Sequence, residues 1–81
     1  MSRDKLVRMA NQIATFFQSQ PGDAAEKVAE HINAFWEPRM RRQLIDIIAA
    51  GGEGLCAPVV AAADRIRPPQ EAAEGADRLR S

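Results

Sequence analysis

The sequence predicts an all-α protein, a small bundle of three helices with a weak fourth helix and a flexible C-terminal tail. Three segments carry apolar residues at intervals of three and four, which is the spacing of one face of an α-helix. Residues typical of loops and helix ends separate these segments, at Gln20-Pro21-Gly22, Glu37-Pro38 and Gly51-Gly52. A chain of 81 residues is the size of one small domain. We therefore predict a helical domain at 1–67 and a tail at 68–81.

The first helix is predicted at about residues 4–19, with Ser2 or Asp4 as its N-cap. Its apolar face consists of Leu6, Met9, Ala10, Ile13 and Phe17. Phe16 lies at the edge of that face, about 80° from its centre on a helical wheel. An aromatic side chain at this edge either closes the rim of the core or contacts a partner protein.

Asp23 is predicted to cap the second helix, with Glu26 three residues later in the position of a capping box. The loop before it is short, so the first two helices are expected to pack as an antiparallel hairpin. The face predicted to be buried consists of Ala25, Val28, Ala29, Ile32, Phe35 and Trp36. Glu37 precedes a proline and is therefore pushed out of the helical region, whereas Pro38 suits the first turn of the next helix. The helix boundary is therefore placed at Glu37.

The third helix is predicted to run from Pro38 to near Ala50, where Gly51 and Gly52 stop it. Its inner face consists of Met40, Leu44, Ile47 and Ile48. Ile45 lies about 140° from Met40, so it belongs either to a second buried face or to an exposed contact. Asp46 follows Arg42 by four residues, and this spacing predicts an ion pair along the helix.

The weak fourth helix is predicted at 55–67, with Pro58 in its first turn. The apolar face of this helix consists of Val59, Ala63 and Ile66. Most of the large apolar side chains of the protein lie before this segment. Beyond Arg67 the chain has Leu79 as its single large apolar residue, a composition that cannot bury enough surface to fold. This predicts the flexible tail.

Charge and composition exclude several classes of function. The 11 basic and 11 acidic residues give no net charge, which disfavours general nucleic-acid and membrane-surface binding. Cys56 is the only cysteine and His31 the only histidine, so neither has a second Cys or His to share a metal ion. The glycine run at 51–54 lacks the Lys-Ser/Thr of a phosphate-binding loop. We predict no catalytic, cofactor-binding or metal-binding residues, and a cytoplasmic protein without a signal peptide or membrane span.

Three arginines at the start of the third helix follow two aromatic residues. They form either an ordinary solvated face, an anchor for a partner protein, or the start of a DNA-recognition helix, which the zero net charge disfavours. The residues predicted to bind a partner are Phe16, Trp36, Arg39, Arg41, Arg42 and Ile45. We favour docking through the arginines and expect Trp36 to be largely structural.

Three blocks of the sequence resemble the delta subunit of NAD-dependent formate dehydrogenase. They are residues 5–17 (KLVRMANQIATFF), 31–41 (HINAFWEPRMR) and 51–55 (GGEGL). The most specific parts are MANQI and FWEPRMR, and the resemblance spans about 4–55. After Leu55 the chain departs from the family, whose members tend to have an Asp before the proline where this chain has Cys56-Ala57-Pro58.

The resemblance implies a non-catalytic accessory subunit of a cytoplasmic complex that oxidises formate and reduces NAD. In that family the larger subunits hold a molybdenum or tungsten pterin, iron–sulfur clusters and FMN, and the delta subunit holds none. It associates with the catalytic alpha subunit and helps the enzyme to assemble or to remain intact. The alternative functions are a transient assembly or cofactor-insertion factor for the same enzyme and, third, a small DNA-binding regulator.

Overall fold

The computed structural model describes residues 2–68, which form four α-helices and one 3₁₀ helix. The helices are α1 (Arg3–Gln18), α2 (Ala24–Phe35), α3 (Pro38–Ala49) and α4 (Ala57–Ala61), followed by the 3₁₀ helix Ala63–Arg65. No strand occurs among the described residues, and the predicted all-α class is confirmed. Apart from Pro68, the tail predicted at 68–81 lies outside the described residues.

The first two helices begin at side-chain caps. The Ser2 hydroxyl accepts a hydrogen bond from the Lys5 backbone N–H at 3.2 Å, so α1 begins one residue earlier than predicted. The Asp23 carboxylate accepts hydrogen bonds from the backbone N–H groups of Ala25 and Glu26 at 3.0 and 3.4 Å. Asp23 is thus the N-cap of α2, as the sequence predicted, and α1 and α2 pack against each other across the short loop.

The chain turns between α2 and α3 at the predicted corner. Glu37 is extended, with φ −65° and ψ 154°, and Pro38 occupies the first turn of α3. Trp36 is buried with 6% of its surface exposed, but Phe35 is 74% exposed. The prediction that Phe35 belongs to the buried face is wrong. Trp36 is the first residue to leave the helical conformation, so its side chain departs from the helical wheel and turns into the core, whereas Phe35 stays on the His31 side of α2.

The C-terminal end of α3 is a Schellman motif. The Gly52 N–H donates to the carbonyl of Ile47 at 2.8 Å, and the Gly51 N–H donates to that of Ile48 at 3.0 Å. Gly51 and Gly52 both have positive φ, at 120° and 68°, which glycine adopts without the strain of a side chain. The predicted helix stop is confirmed, with Ala50 as the C-cap.

The structure decides the position of Ile45 on α3 and the predicted ion pair along that helix. Ile45 is half-buried and packs against the core, so it belongs to a buried face. The predicted ion pair between Arg42 and Asp46 does not form in the described part of the chain. The ion pair recorded there joins Arg65 to Asp23 at 3.2 Å, because the 3₁₀ helix packs against α2.

The core draws side chains from all four α-helices and from the residues that flank the 3₁₀ helix. Its buried residues are Leu6, Ala10, Ala14, Val28, Ala29, Ile32, Trp36, Leu44, Ile47, Val59, Ala62 and Ile66. The predicted fourth helix is shorter than expected, because the chain turns at Ala62 and continues as a 3₁₀ helix. That turn buries Ala62 completely and leaves Ala63 half-buried, whereas the sequence had placed Ala63 on the inner face. Despite its length, this segment is part of the core.

Asn11 and Arg3 hold the connection between α3 and α4 against α1. The Asn11 amide donates to the Gly54 carbonyl and accepts from the Cys56 N–H, both at 2.9 Å, and the Arg3 guanidinium donates to the Glu53 carbonyl at 2.9 Å. Cys56 is the N-cap of α4 but makes no side-chain capping bond. The bonds from α1 therefore position the start of a helix whose N-cap side chain makes no capping bond.

Candidate docking surfaces

The corner between α2 and α3 presents two of its three arginines to solvent. Arg39 and Arg42 are exposed. Arg41 is half-buried, and its guanidinium donates hydrogen bonds to the carbonyls of Trp36 at 2.9 Å and Arg67 at 3.1 Å. Arg41 therefore ties the corner to the end of the described chain, which is a structural role that sequence reasoning did not anticipate.

Asn33 holds the same C-terminal segment from α2. Its amide donates to the Arg65 carbonyl at 2.9 Å and accepts from the Arg67 N–H at 2.8 Å. Asn33 was not among the residues of this helix predicted to be buried. No local signal could reveal this role, since the two bonded backbone groups lie 32 and 34 residues further along the chain. Asn33 and Arg41 together fix the route of the chain up to Pro68.

The six residues predicted to bind a partner do not form one surface. Trp36 is buried, Ile45 is half-buried against the core, and Arg41 is engaged with backbone carbonyls. The exposed members are Phe16, Arg39 and Arg42. The ring of Phe16 contacts Phe17 on its own helix, and no recorded contact among residues 2–68 joins it to the arginines. The binding roles of all six residues stay predictions.

A row of aromatic rings crosses from α1 to α2. The centroids of Phe16 and Phe17 are 5.1 Å apart, those of Phe17 and His31 are 6.0 Å apart, and those of His31 and Phe35 are 4.9 Å apart. The two ends of the row are exposed, Phe16 by 57% and Phe35 by 74%. We call Phe16, Phe17, His31 and Phe35 the aromatic patch. A sequence signal existed for half of it, because His31 and Phe35 are four residues apart on one helix.

An open groove with a volume of about 310 Å³ lies along the aromatic patch. Its lining consists of Gln12, Ile13, Phe16, Phe17 and His31. A second groove of about 430 Å³ continues past Phe35, where Lys27 and Glu30 contribute one charge of each sign. The aromatic patch is thus an apolar surface with a mixed charged border.

The single histidine and the single cysteine lie in different parts of the fold. His31 stands between Phe17 and Phe35 at the rim of the helix pair, and Cys56 is half-buried at the start of α4. Within residues 2–68, no three His, Cys, Asp or Glu side chains are grouped so that they could hold a metal ion. In the same range, no helix combines the length and apolarity needed to cross a membrane.

The partners of Asp23 shift the pKa of its carboxyl. The hydrogen bond from the Arg65 guanidinium, together with the backbone N–H groups of Glu26 and Ala25, holds the pKa of the Asp23 carboxyl below its ordinary value. All these partners stabilise the charged form at the start of α2. Asp23 therefore serves the fold.

A comparison with protein families identifies the relationship of this chain. The model of the NADH-dependent formate dehydrogenase delta subunit FdsD matches residues 5–63. The chain belongs to this family. A comparison with curated proteins found no match. The resemblance predicted over about 4–55 is confirmed, and the match continues through α4 to Ala63. The aromatic patch, the arginine corner and the Asn11 contacts all lie inside the matched region of this delta-subunit family member.

Proposed function

We propose that this chain is a non-catalytic subunit of NAD-dependent formate dehydrogenase that binds the catalytic alpha subunit and supports the assembly or stability of the enzyme. The observation that carries the proposal is the delta-subunit family match over residues 5–63. The family is named for a formate dehydrogenase subunit, which supports a place for this chain in such a complex. The choice of the alpha subunit as partner and the supporting role are our proposal.

The use of the polar side chains supports a binding role. Asn11, Asn33 and Arg41 each bond backbone groups far away in the sequence, and Asp23 caps a helix and pairs with Arg65. These groups are therefore engaged in holding the helices together. The surface meanwhile exposes phenylalanine and arginine, and aromatic residues and Arg are enriched at protein interfaces.

In this proposal the partner subunits supply the redox chemistry. The molybdenum or tungsten pterin, the iron–sulfur clusters, the FMN and the NAD site reside in those subunits, in the cytoplasm. This chain contributes stability, because a protein that binds the folded state of its partner stabilises that folded state.

A pull-down with the tagged chain from cells that produce the enzyme, followed by mass spectrometry, tests the proposal. The expected result is recovery of the alpha subunit with the other formate dehydrogenase subunits. Recovery of none of them, under conditions in which the enzyme is abundant and intact, contradicts the proposal.

A further inference from the structure

We propose that the aromatic patch is a docking surface for an apolar segment of the catalytic alpha subunit of formate dehydrogenase, with Phe16 and Phe35 as its anchors. This inference rests on the proposed function and names the surface that performs it. It differs from docking through the arginines, because the patch lies along α1 and α2, and Phe35 had been assigned to the core.

The aromatic patch brings together two exposed large apolar side chains. Phe16, Phe35 and Val60 are the exposed large apolar residues among residues 2–68, at 57%, 74% and 40%. A single exposed apolar residue such as Val60 is ordinary. Phe16 and Phe35 are different, because Phe17 and His31 connect them into one row of contacting rings. Contiguous exposed apolar surface is a feature of protein interaction sites.

The two helices that carry the patch are packed together before any partner binds. The residues of the patch belong to α1 and α2, which share a core containing Ala10, Ala14 and Val28. The interplanar angle between Phe16 and Phe17 is 74°, an edge-to-face contact of the kind that aromatic rings prefer. A backbone that is already packed loses little conformational freedom on association, so more of the contact energy appears as affinity.

The area of the patch argues against a second copy of this chain as the occupant. With 57% and 74% exposure, Phe16 and Phe35 present together about 250 Å², taking about 200 Å² for a whole phenylalanine side chain. Two such patches facing each other would bury about 500 Å², below the roughly 1,200 Å² of the smaller stable interfaces. The patch therefore suits the centre of a larger contact, to which a bigger partner adds surrounding surface. The alpha subunit named in the proposed function is such a partner.

The lining of the grooves defines the chemistry of the occupant. Ile13, Phe16 and Phe17 line the groove with apolar surface, so the inserted side chains are aliphatic or aromatic. Lys27 and Glu30 at the border carry opposite charges, and the chain as a whole has no net charge. The border of the patch therefore gives no preference for a strongly acidic or strongly basic segment. The best fit is an amphipathic helix or extended segment that buries an apolar side chain between α1 and α2.

The test measures the affinity of purified catalytic alpha subunit for the full chain carrying Phe16→Ala, Phe35→Ala or both. Both side chains are exposed, so the variants are expected to keep the helical circular dichroism and thermal midpoint of the unsubstituted chain. Each single substitution is expected to weaken binding about tenfold or more, and the pair more than either. The matched control is Val60→Ala, which removes exposed apolar surface from α4 and is expected to leave the affinity within about twofold.

Four outcomes separate the alternatives. A loss of affinity in both single variants with an unchanged control supports the proposal. An unchanged affinity in the folded double variant overturns it, and Phe35→Ala alone decides the matter if the double variant does not fold. The proposal is also overturned if the Arg39→Glu/Arg42→Glu double variant loses binding while the phenylalanine variants retain it. A chain without substitutions that binds no formate dehydrogenase subunit contradicts the proposed function itself, which is a different result from any of these.

Discussion

Phe35 and Trp36 show how a helix end separates two neighbouring aromatic side chains. The helix ends between them, so Phe35 remains on the outer surface of α2 while the extended backbone of Trp36 turns the indole into the core. The Trp36 carbonyl then accepts a hydrogen bond from Arg41, which fastens the corner. A helical wheel cannot represent this, since it treats both residues as helical.

Substitution of these two residues is expected to have opposite consequences. Trp36→Ala empties a buried site and is expected to lower the free energy of unfolding by about 3–5 kcal/mol. Phe35→Ala removes an exposed ring and is expected to change it by less than about 0.5 kcal/mol. Urea unfolding of both variants measures the difference. Equal losses would mean that Phe35 is also part of the core.

Asp23 gives the fold a pH dependence with a defined sign. Its carboxyl pKa is lowered in the folded state, so the stability it contributes is present above the ordinary aspartate pKa of about 3.9 and is lost as the pH falls through the folded value. Asp23→Asn keeps a capping side chain but loses the charge. We expect the unsubstituted chain to melt higher than Asp23→Asn at pH 7, and the gap to close below about pH 4. A gap that is constant from pH 7 to pH 2 would contradict this account.

At the scale of elements, patterns within one helix could be predicted and contacts between distant segments could not. The three long helices, the Asp23 cap, the proline corner and the glycine stop each depend on a few adjacent residues. The 3₁₀ turn after Ala62 depends on packing against α2, which the sequence does not display. For the same reason the solvated positions of Arg39 and Arg42 were predictable, whereas the long-range bonds of Arg41 were not.

The bonds from Asn33 predict a local effect at the end of the chain. Asn33→Ala removes two hydrogen bonds to the backbone of residues 65–67 and is expected to lower the free energy of unfolding by about 1–2 kcal/mol. It is also expected to speed hydrogen exchange at the Arg67 amide, which loses its acceptor. Glu30→Ala, an exposed position on the same helix, is the control and is expected to change neither quantity. Unaltered exchange at Arg67 in Asn33→Ala would show that other contacts hold this segment.

At the scale of the whole molecule, the core is small because much of it is alanine and valine. Ala10, Ala14, Ala29 and Ala62 are buried, and each contributes little apolar area. A domain of this size buries only about 60% of the surface of its unfolded chain. Its stability alone is therefore expected to be modest, and a partner that binds the folded state adds to it.

This expectation predicts a shift in melting temperature on complex formation. Partner at a concentration one hundred times the dissociation constant adds about 2.7 kcal/mol to the stability of the folded chain. Melting of the labelled chain with increasing amounts of alpha subunit measures the effect. The Phe16→Ala/Phe35→Ala double variant is the matched control, since it is expected to melt as the unsubstituted chain does when alone but to gain less from the partner. An identical melting curve with and without saturating alpha subunit would contradict stabilisation by the complex.

The central claim is that this delta-subunit family member is a lasting component of formate dehydrogenase. The measurement that tests it most directly is the quantity of this chain in the purified, active enzyme, determined by mass spectrometry against labelled peptide standards. Our account predicts a fixed ratio of this chain to the alpha subunit, unchanged through successive purification steps. A chain that is abundant in immature complexes but absent from the active enzyme would contradict the account and identify a transient assembly factor instead.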